Sequence, residues 1–263
     1  MAELADDLVR FWTAMDSGLE HVQRTWWGAV VTDARFPDVR DTNYARIETD
    51  DAALSLAEVS AVLTPALEAA SAAAVHVVMF RPQTTSLLLE ELTQRGDRCS
   101  WDVVMEHGGE LSPIEPDAVE ELRPGAELWD RVASSLSSFG IASPGTARQL
   151  LRIERDVLDP GVTKRWFGAR DGSGRMVALG ALVLLAGLGY VDHVVTFPEA
   201  RARGHARAVV SRIVHEARAA GAGRTFLLVD PEGPVSLYER LGFREATRIA
   251  STLAARQTRG GGR

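Results

Sequence analysis

The chain of 263 residues is short of several things, and each scarcity removes a class of protein. It has one cysteine, Cys99, so no internal disulfide can form and a cysteine-based zinc site has no second thiolate. A reducing, cytoplasmic setting is expected. The longest apolar run, Met176 to Leu188, is broken by glycines and is too short to span a bilayer. The N-terminus, MAELADDLVRFW, lacks an apolar core of signal-peptide length, so a soluble protein without a membrane partner is expected. Histidines are few: His21, His76 and His107 are isolated, and His205 and His215 lack metal-ligand spacing, so no metal is expected. Neither a Gly-x-Gly-x-x-Gly fingerprint nor a Gly-Lys-Ser/Thr phosphate loop is present. Basic residues are outnumbered, 29 against 36 acidic, for a net charge of -7. Any arginine cluster is therefore local, which argues against a nucleic-acid partner.

What is present is ordinary globular material, 46% hydrophobic and 25% charged, enough for one large domain or two small ones. The stretch GGELSPIEPDA, Gly108 to Ala118, has the glycines and prolines of a linker. It implies an N-terminal domain over 1–112, a C-terminal domain over 113–256 and a disordered tail over 257–263. In the second half a strand at VEELRP precedes two helices, marked by Leu128, Val132, Leu136 and Phe139 and then by Leu150, Leu151, Glu154, Val157 and Leu158. KRWFGA and MVALGALVLL flank the hairpin turn RDGSGR, and YVDHVVTF follows as a further strand. Ala206, Val209, Val210, Ile213, Val214 and Ala217 share one helical face; TFLLVD, PVSLYERLG and FREATRIAST complete the order β, α, α, β, β, β, α, β, α, β. The first half is less legible. WGAVVTD, YARIET, VHVVMF and WDVVME read as strands, and Leu54–Ala70 and Thr84–Arg95 as helices. Its closing strand, helix and strand copy the end of the second half, a weak internal repeat.

The stretch FPEARARGHARAVV sets one glycine among arginines where a strand gives way to a helix. The first N–H groups of a helix lack intrahelical acceptors and the dipole there is positive, so an anion is favoured. Gly204 removes the side chain that would keep a phosphate from the backbone, Ala206 keeps the next position small, and Arg201 and Arg203 add charge. A solvated helix face accounts equally well for Arg201, Arg203 or Arg207 taken singly; the set with Gly204 favours the phosphate. This Arg-x-x-Gly-x-Ala pattern closely resembles the acyl-CoA pyrophosphate loop of the GNAT superfamily of acyl-CoA-dependent N-acyltransferases. The order of elements over about Val119 to Ala254 is also that family's order.

The resemblance implies an α/β fold with a GNAT-like mixed central sheet flanked by helices in the C-terminal half. It implies acetyl-CoA as cosubstrate, its pyrophosphate held by Gly204, His205, Ala206, Arg207 and Ala208 with Arg201 and Arg203 assisting. In PVSLYERLGF, Tyr238 matches the family's tyrosine that protonates the departing thiolate, a role a phenol suits at neutral pH, although a core tyrosine is the simpler alternative. Where the family often carries an asparagine before this helix, the chain reads Asp230-Pro231-Glu232-Gly233-Pro234, which adds acids and removes N–H donors. The strand ending in Val194, Val195 and Thr196 is implied to splay from its neighbour, so that its N–H groups hold the thioester carbonyl. Strand alternation sets Asp192 on one face and His193 on the other, rival candidates for the base that takes the proton from the attacking amine. The first-half pattern Trp27-Gly28 followed by Asp41-x-Asn43-x-Ala45-Arg46 is similar to the front of some actinobacterial two-domain GNAT proteins. Lacking the phosphate-loop pattern in RPQTTSLLLEEL, the first half reads as a degenerate GNAT-like domain that walls the acceptor site or forms a homodimer. The expected activity is N-acetylation of a small-molecule primary amine. The alternatives are a non-catalytic acyl-CoA-binding module and acetylation of a protein amine.

Overall fold

The computed structural model describes residues 2–111, 118–156 and 162–256. The chain divides into two compact units, Ala2–Trp101 with the segment from Arg248 onward, and Asp102–Thr247.

The N-terminal unit begins with helix α1 (Ala2–Met15), whose Leu4, Ala5, Leu8 and Phe11 recur at helical spacing and are buried. Strands β1 (His21–Thr25) and β2 (Gly28–Thr32) form a tight hairpin, and β3 (Tyr44–Ile47) pairs antiparallel with β2. Gly28 closes that turn at φ +149, and a Cβ there would lie 2.0 Å from the Arg46 carbonyl oxygen, so glycine is required. Helix α2 (Leu56–Ala69) starts in a capping box between Ser55 and Glu58. Strand β4 (Ala74–Met79) lies parallel to β3, and helix α3 (Ser86–Gln94) leads into β5 (Arg98–His107). Trp27, Ile47, Leu63, Leu67, Met79 and Leu92 are among the residues that form the core of this unit.

The C-terminal unit runs β6 (Glu120–Leu122), α4 (Ala126–Ser135), α5 (Pro144–Asp156), β7 (Thr163–Arg170), β8 (Met176–Leu185), β9 (Leu188–Thr196), α6 (His205–Ala219), β10 (Arg224–Val229), α7 (Val235–Arg240) and β11 (Phe243–Ala255). This is the order expected from the sequence; Val157 and Leu158, expected in the second helix, lie outside the described residues, as does the tail over 257–263. The strands lie in the order β5-β10-β9-β8-β7-β6. Strand β9 is parallel to β10 and antiparallel to β8. One face of the sheet packs on α6 and α7 through Phe167, Ala178, Leu182, Val191 and Phe243. The other packs on α4 through Trp166, Leu179, Ala181 and Val195.

The two halves of the chain share a run of elements, β3-α2-β4-α3-β5 and β9-α6-β10-α7-β11, each with its first two strands parallel. Their last strands are exchanged: β5 pairs antiparallel with β10 over Val103–Glu106, and β11 pairs antiparallel with β4 over Ala250–Ala255. The compact units divide within β5 and β11.

Candidate functional site

The site starts from a parting of strands. Strand β9 pairs with β10 only from Leu188 to Tyr190, opposite Arg224 to Phe226. Beyond that rung β10 goes on pairing with β5 as far as Val229, while β9 from Val191 to Thr196 stays paired with β8 alone. The edge of β9 that faces β10 is therefore an open row of backbone polar groups, which require partners. Tyr190 stacks on Phe226 at 5.1 Å, at the last paired rung.

Along this open edge β9 carries a bulge. Asp192 lies opposite Ala181 and Val195 opposite Leu179, so His193 and Val194 share the place of one residue, and His193 takes φ +52. The bulge changes the faces. Val194 packs into the core beneath α6, while Asp192 and His193 both turn toward α4 and β7. The strict alternation that set these two residues on opposite faces is thus corrected: one inserted residue cancels one reversal of the pleat.

Asp192 is not free. Its Oδ2 accepts a hydrogen bond from Lys164 Nζ at 2.8 Å, and Lys164 also contacts Glu154 Oε2 at 2.7 Å. Lys164 is the only lysine among 29 basic residues, its side chain is 5% exposed, and its ammonium lies 4.9 Å from the Trp166 ring centroid. Burial raises the Asp192 carboxyl pKa, but the Lys164 ammonium and His193 lower it further, so the net shift is downward. Burial pushes the His193 imidazole below its ordinary value, against the pull of Asp192, so the ring is neutral at physiological pH. Its Nε2 lies 2.7 Å from Ser135 Oγ, and the ring is flanked by Phe139 at 4.7 Å and Trp166 at 5.2 Å.

After β9 the chain makes a 3₁₀ turn over Pro198–Ala200, and both Ala202 (φ 60) and Gly204 (φ 86) take left-handed conformations before α6 begins. No side chain caps α6. Ala208 N–H bonds the Gly204 carbonyl at 3.0 Å, which leaves the N–H groups of His205, Ala206 and Arg207 without intrahelical acceptors. The space beside Gly204 is open, with nothing within 4 Å of an added Cβ. Arg201 Nε donates to the Thr196 carbonyl at 3.3 Å, and Arg203 and Arg207 are exposed and make no ion pair among the described residues. An uncapped helix start, a left-handed glycine and three arginines fit a diphosphate, and the open edge of β9 fits an arm that carries amides.

Tyr238, on α7, is 8% exposed and meets Phe243 edge-on at 6.0 Å. Its hydroxyl has no hydrogen bond among the described residues, and burial raises the phenol pKa, so it keeps its proton at neutral pH. In the preceding turn, Asp230 Oδ1 accepts from Glu232 N at 2.8 Å, so this acid is tied to its own loop.

Lys164, Glu154, Ser135 and Phe139 were not anticipated as site residues. For Lys164 a signal existed, one lysine in a chain that otherwise uses arginine. For the others none did, because they come from separate elements. Among the described residues no helix is long and apolar enough to cross a membrane, and no group of three or more His, Cys, Asp or Glu is placed to hold a metal ion.

Residues 129–243 match the model of the Acetyltransferase (GNAT) family. No curated protein matches the chain. Among solved structures, a GCN5-related N-acetyltransferase from Kribbella flavida aligns with TM-score 0.59 at 16% identity, over 94% of this chain and 94% of its own. A conserved protein of unknown function from Staphylococcus epidermidis aligns with TM-score 0.68 at 13% identity, over 90% and 94%. A tandem GNAT protein from the clavulanic acid biosynthesis pathway aligns with TM-score 0.53 at 12% identity, over 81% and 75%. These likenesses are of fold. The family likeness thus covers residues 129–243, within the C-terminal unit, and the solved structures share the fold of the chain.

Proposed function

We propose that the C-terminal unit transfers an acetyl group from acetyl-CoA to the primary amine of a small molecule. The observation that carries this reading is the opening of the sheet after Tyr190, continuous in the chain with the uncapped start of α6 at Gly204. Acetyl-CoA supplies the activated acyl group. The N–H groups of His205, Ala206 and Arg207, with the side chains of Arg201, Arg203 and Arg207, hold its diphosphate, and backbone N–H groups of Val194 to Thr196 stabilise the charge that develops on the carbonyl oxygen. His193 takes the proton from the attacking amine. Asp192 is the poorer base, because Lys164 stabilises its charged form. Tyr238 gives its proton to the departing sulfur as the carbon–sulfur bond breaks.

The surroundings of His193 support a small acceptor. Phe139, 47% exposed, and Trp166 give the ring an apolar flank, and two carboxylates around one ammonium leave a net negative charge that draws in a cationic amine. We further propose that the N-terminal unit has lost acyl-CoA binding. Its strands β3 and β4 stay paired to Ile47 and Met79, with Phe80 N–H bonding the Ile47 carbonyl at 3.2 Å. The start of α2, the counterpart of α6, is filled by Ser55 and by Glu91 Oε2, which accepts from Leu56 N at 2.6 Å. The counterpart of the phosphate loop therefore precedes α2, not α3, where RPQTTSLLLEEL stands.

Titration of acetyl-CoA and of free CoA into the wild type and a Gly204→Glu variant tests the cosubstrate, and thiol release over a panel of amines tests the transfer. Binding in the micromolar range that the variant loses, followed by turnover on an amine, is the expected result. No binding by a folded wild type would sink the reading. Binding with no thiol release on any amine would reduce the unit to an acyl-CoA-binding module, and labelling of a protein in lysate by radioactive acetyl-CoA would replace the small acceptor with a protein amine.

A further inference from the structure

Ser135 is fully buried at the C-terminal end of α4, and its hydroxyl has two neighbours. It donates to the Val132 carbonyl at 2.7 Å, and it lies 2.7 Å from His193 Nε2. The first bond has a local cause. At the end of α4 the helix tightens into the 3₁₀ turn Leu136–Phe139, and Leu136 N–H bonds Ala133 instead of the regular helical acceptor, Val132. The Ser135 hydroxyl supplies that carbonyl with a donor, as serines in helices do. A hydroxyl has one proton and two lone pairs. With the proton committed to Val132, the oxygen presents only lone pairs to the imidazole, so Nε2 must carry a hydrogen. In a neutral ring the other nitrogen, Nδ1, is then the unprotonated one, and Nδ1 makes no hydrogen bond among the described residues.

We propose that Ser135 is a positioning residue that fixes His193 as its Nε2–H tautomer and so leaves Nδ1 as the atom that accepts the proton of the attacking amine. The inference rests on the acyltransferase reading for the identity of that proton, and on geometry alone for the tautomer. The groups facing the ring agree with it. Asp192 Oδ1 accepts from the His193 backbone N–H at 2.8 Å, not from the ring, and its other oxygen is held by Lys164. Glu154 is held by Lys164, and Phe139 and Trp166 offer the ring no acceptor for a second N–H. The proton passes from the ammonium-forming nitrogen to Nδ1 as the new carbon–nitrogen bond forms, giving a transient imidazolium that returns it to solvent, while the leaving sulfur takes its proton from Tyr238 as the carbon–sulfur bond breaks.

The test is a long-range ¹H–¹⁵N correlation spectrum of the full chain labelled with ¹⁵N-histidine, taken above the imidazole pKa, with His193 identified by the signals missing from His193→Gln. The expected result is a pyrrole-type shift at Nε2 and a pyridine-type shift at Nδ1 in the wild type, and a mixture of tautomers in Ser135→Ala. In turnover, Ser135→Ala is expected to lower kcat about tenfold, a fraction of what a general base contributes, with KM little changed, and Ser135→Thr, which keeps the hydroxyl, to restore part of it. A pyridine-type Nε2 in the wild type overturns the proposal, and so does an unchanged tautomer ratio in Ser135→Ala. The wild-type spectrum decides the tautomer even if the alanine variant does not fold. A wild type with the expected tautomer but no turnover on any amine would instead count against the acyltransferase reading.

Discussion

Gly204 has room for a methyl group but a backbone that resists one. At φ 86 an alanine incurs a left-handed penalty of about 1–2 kcal/mol, and its methyl would stand where the proposed diphosphate approaches the first N–H groups of α6. Gly204→Ala is therefore expected to fold, to lose a few degrees of thermal midpoint, and to bind acetyl-CoA on the order of tenfold more weakly by calorimetry. Lys164 makes the opposite case, since its pattern was not read from the sequence and its role is electrostatic. Replacing it by methionine leaves Asp192 and Glu154 facing each other without a cation. Because both acids keep some solvent contact, a loss of about 3 kcal/mol is expected in chemical denaturation, the low end for breaking a buried pair. Asp192 is held below its unfolded value, so its share of this stability is present above the unfolded pKa of 3.8 and is lost as pH falls through the folded one. His193 carries the complementary dependence. Its folded pKa lies below the ordinary 6.5, so the unfolded chain binds the proton first as pH falls. Stability is complete above that value and declines below it, and denaturant melts of His193→Gln across pH 5 to 8 should lack this contribution.

At the scale of elements, the parting of β9 from β10 organises the site, and it leaves amides that no strand protects. Hydrogen exchange should show slow amides from Leu188 to Tyr190 and faster ones among those of Val191 to Thr196 that face β10. Acetyl-CoA should slow the latter group, and unchanged exchange at saturating ligand would show that the cosubstrate lies elsewhere. The elements themselves were largely legible. Every strand and helix of the second half follows from apolar periodicity and from the Gly and Asp turns, as at Asp171–Gly174, where Asp171 Oδ1 accepts from the Ser173 N–H at 2.9 Å. Helix α1 and strand β1 were not read. The first has an apolar stripe at Leu4, Leu8 and Phe11 close to the chain start, where a short amphipathic segment competes with targeting segments as an explanation. The second, HVQRT, is an almost wholly exposed edge strand with no alternation to detect.

For the molecule as a whole, the exchanged last strands tie the integrity of one unit to residues distant in sequence. A chain ending at Thr247 removes the segment of β11 that pairs with β4, together with Ala250 from the N-terminal core, and it is expected to lose the cooperative melting of that unit while Asp102–Thr247 keeps its own. Amide spectra of the two constituent regions would show this directly, and an undisturbed N-terminal unit would contradict it. On the proposed function, the contrast between the capped α2 and the uncapped α6 predicts one bound acetyl-CoA per chain, and a calorimetric stoichiometry of two would overturn the proposed loss of binding in the first unit.

By itself the sequence determined the order of elements, the α/β class and the phosphate-loop candidate, because periodicity, turn residues and a glycine at a helix start act over a few neighbouring positions. Only the tertiary structure decided that Asp192 and His193 share a face, that Lys164 neutralises one of the two rivals, that Ser135 meets the other, and that β5 and β11 change places. A bulge depends on the register against β8, and the contacts of Lys164, Ser135 and the exchanged strands join residues far apart in the chain. Pairing and burial of that kind have no local periodicity to announce them.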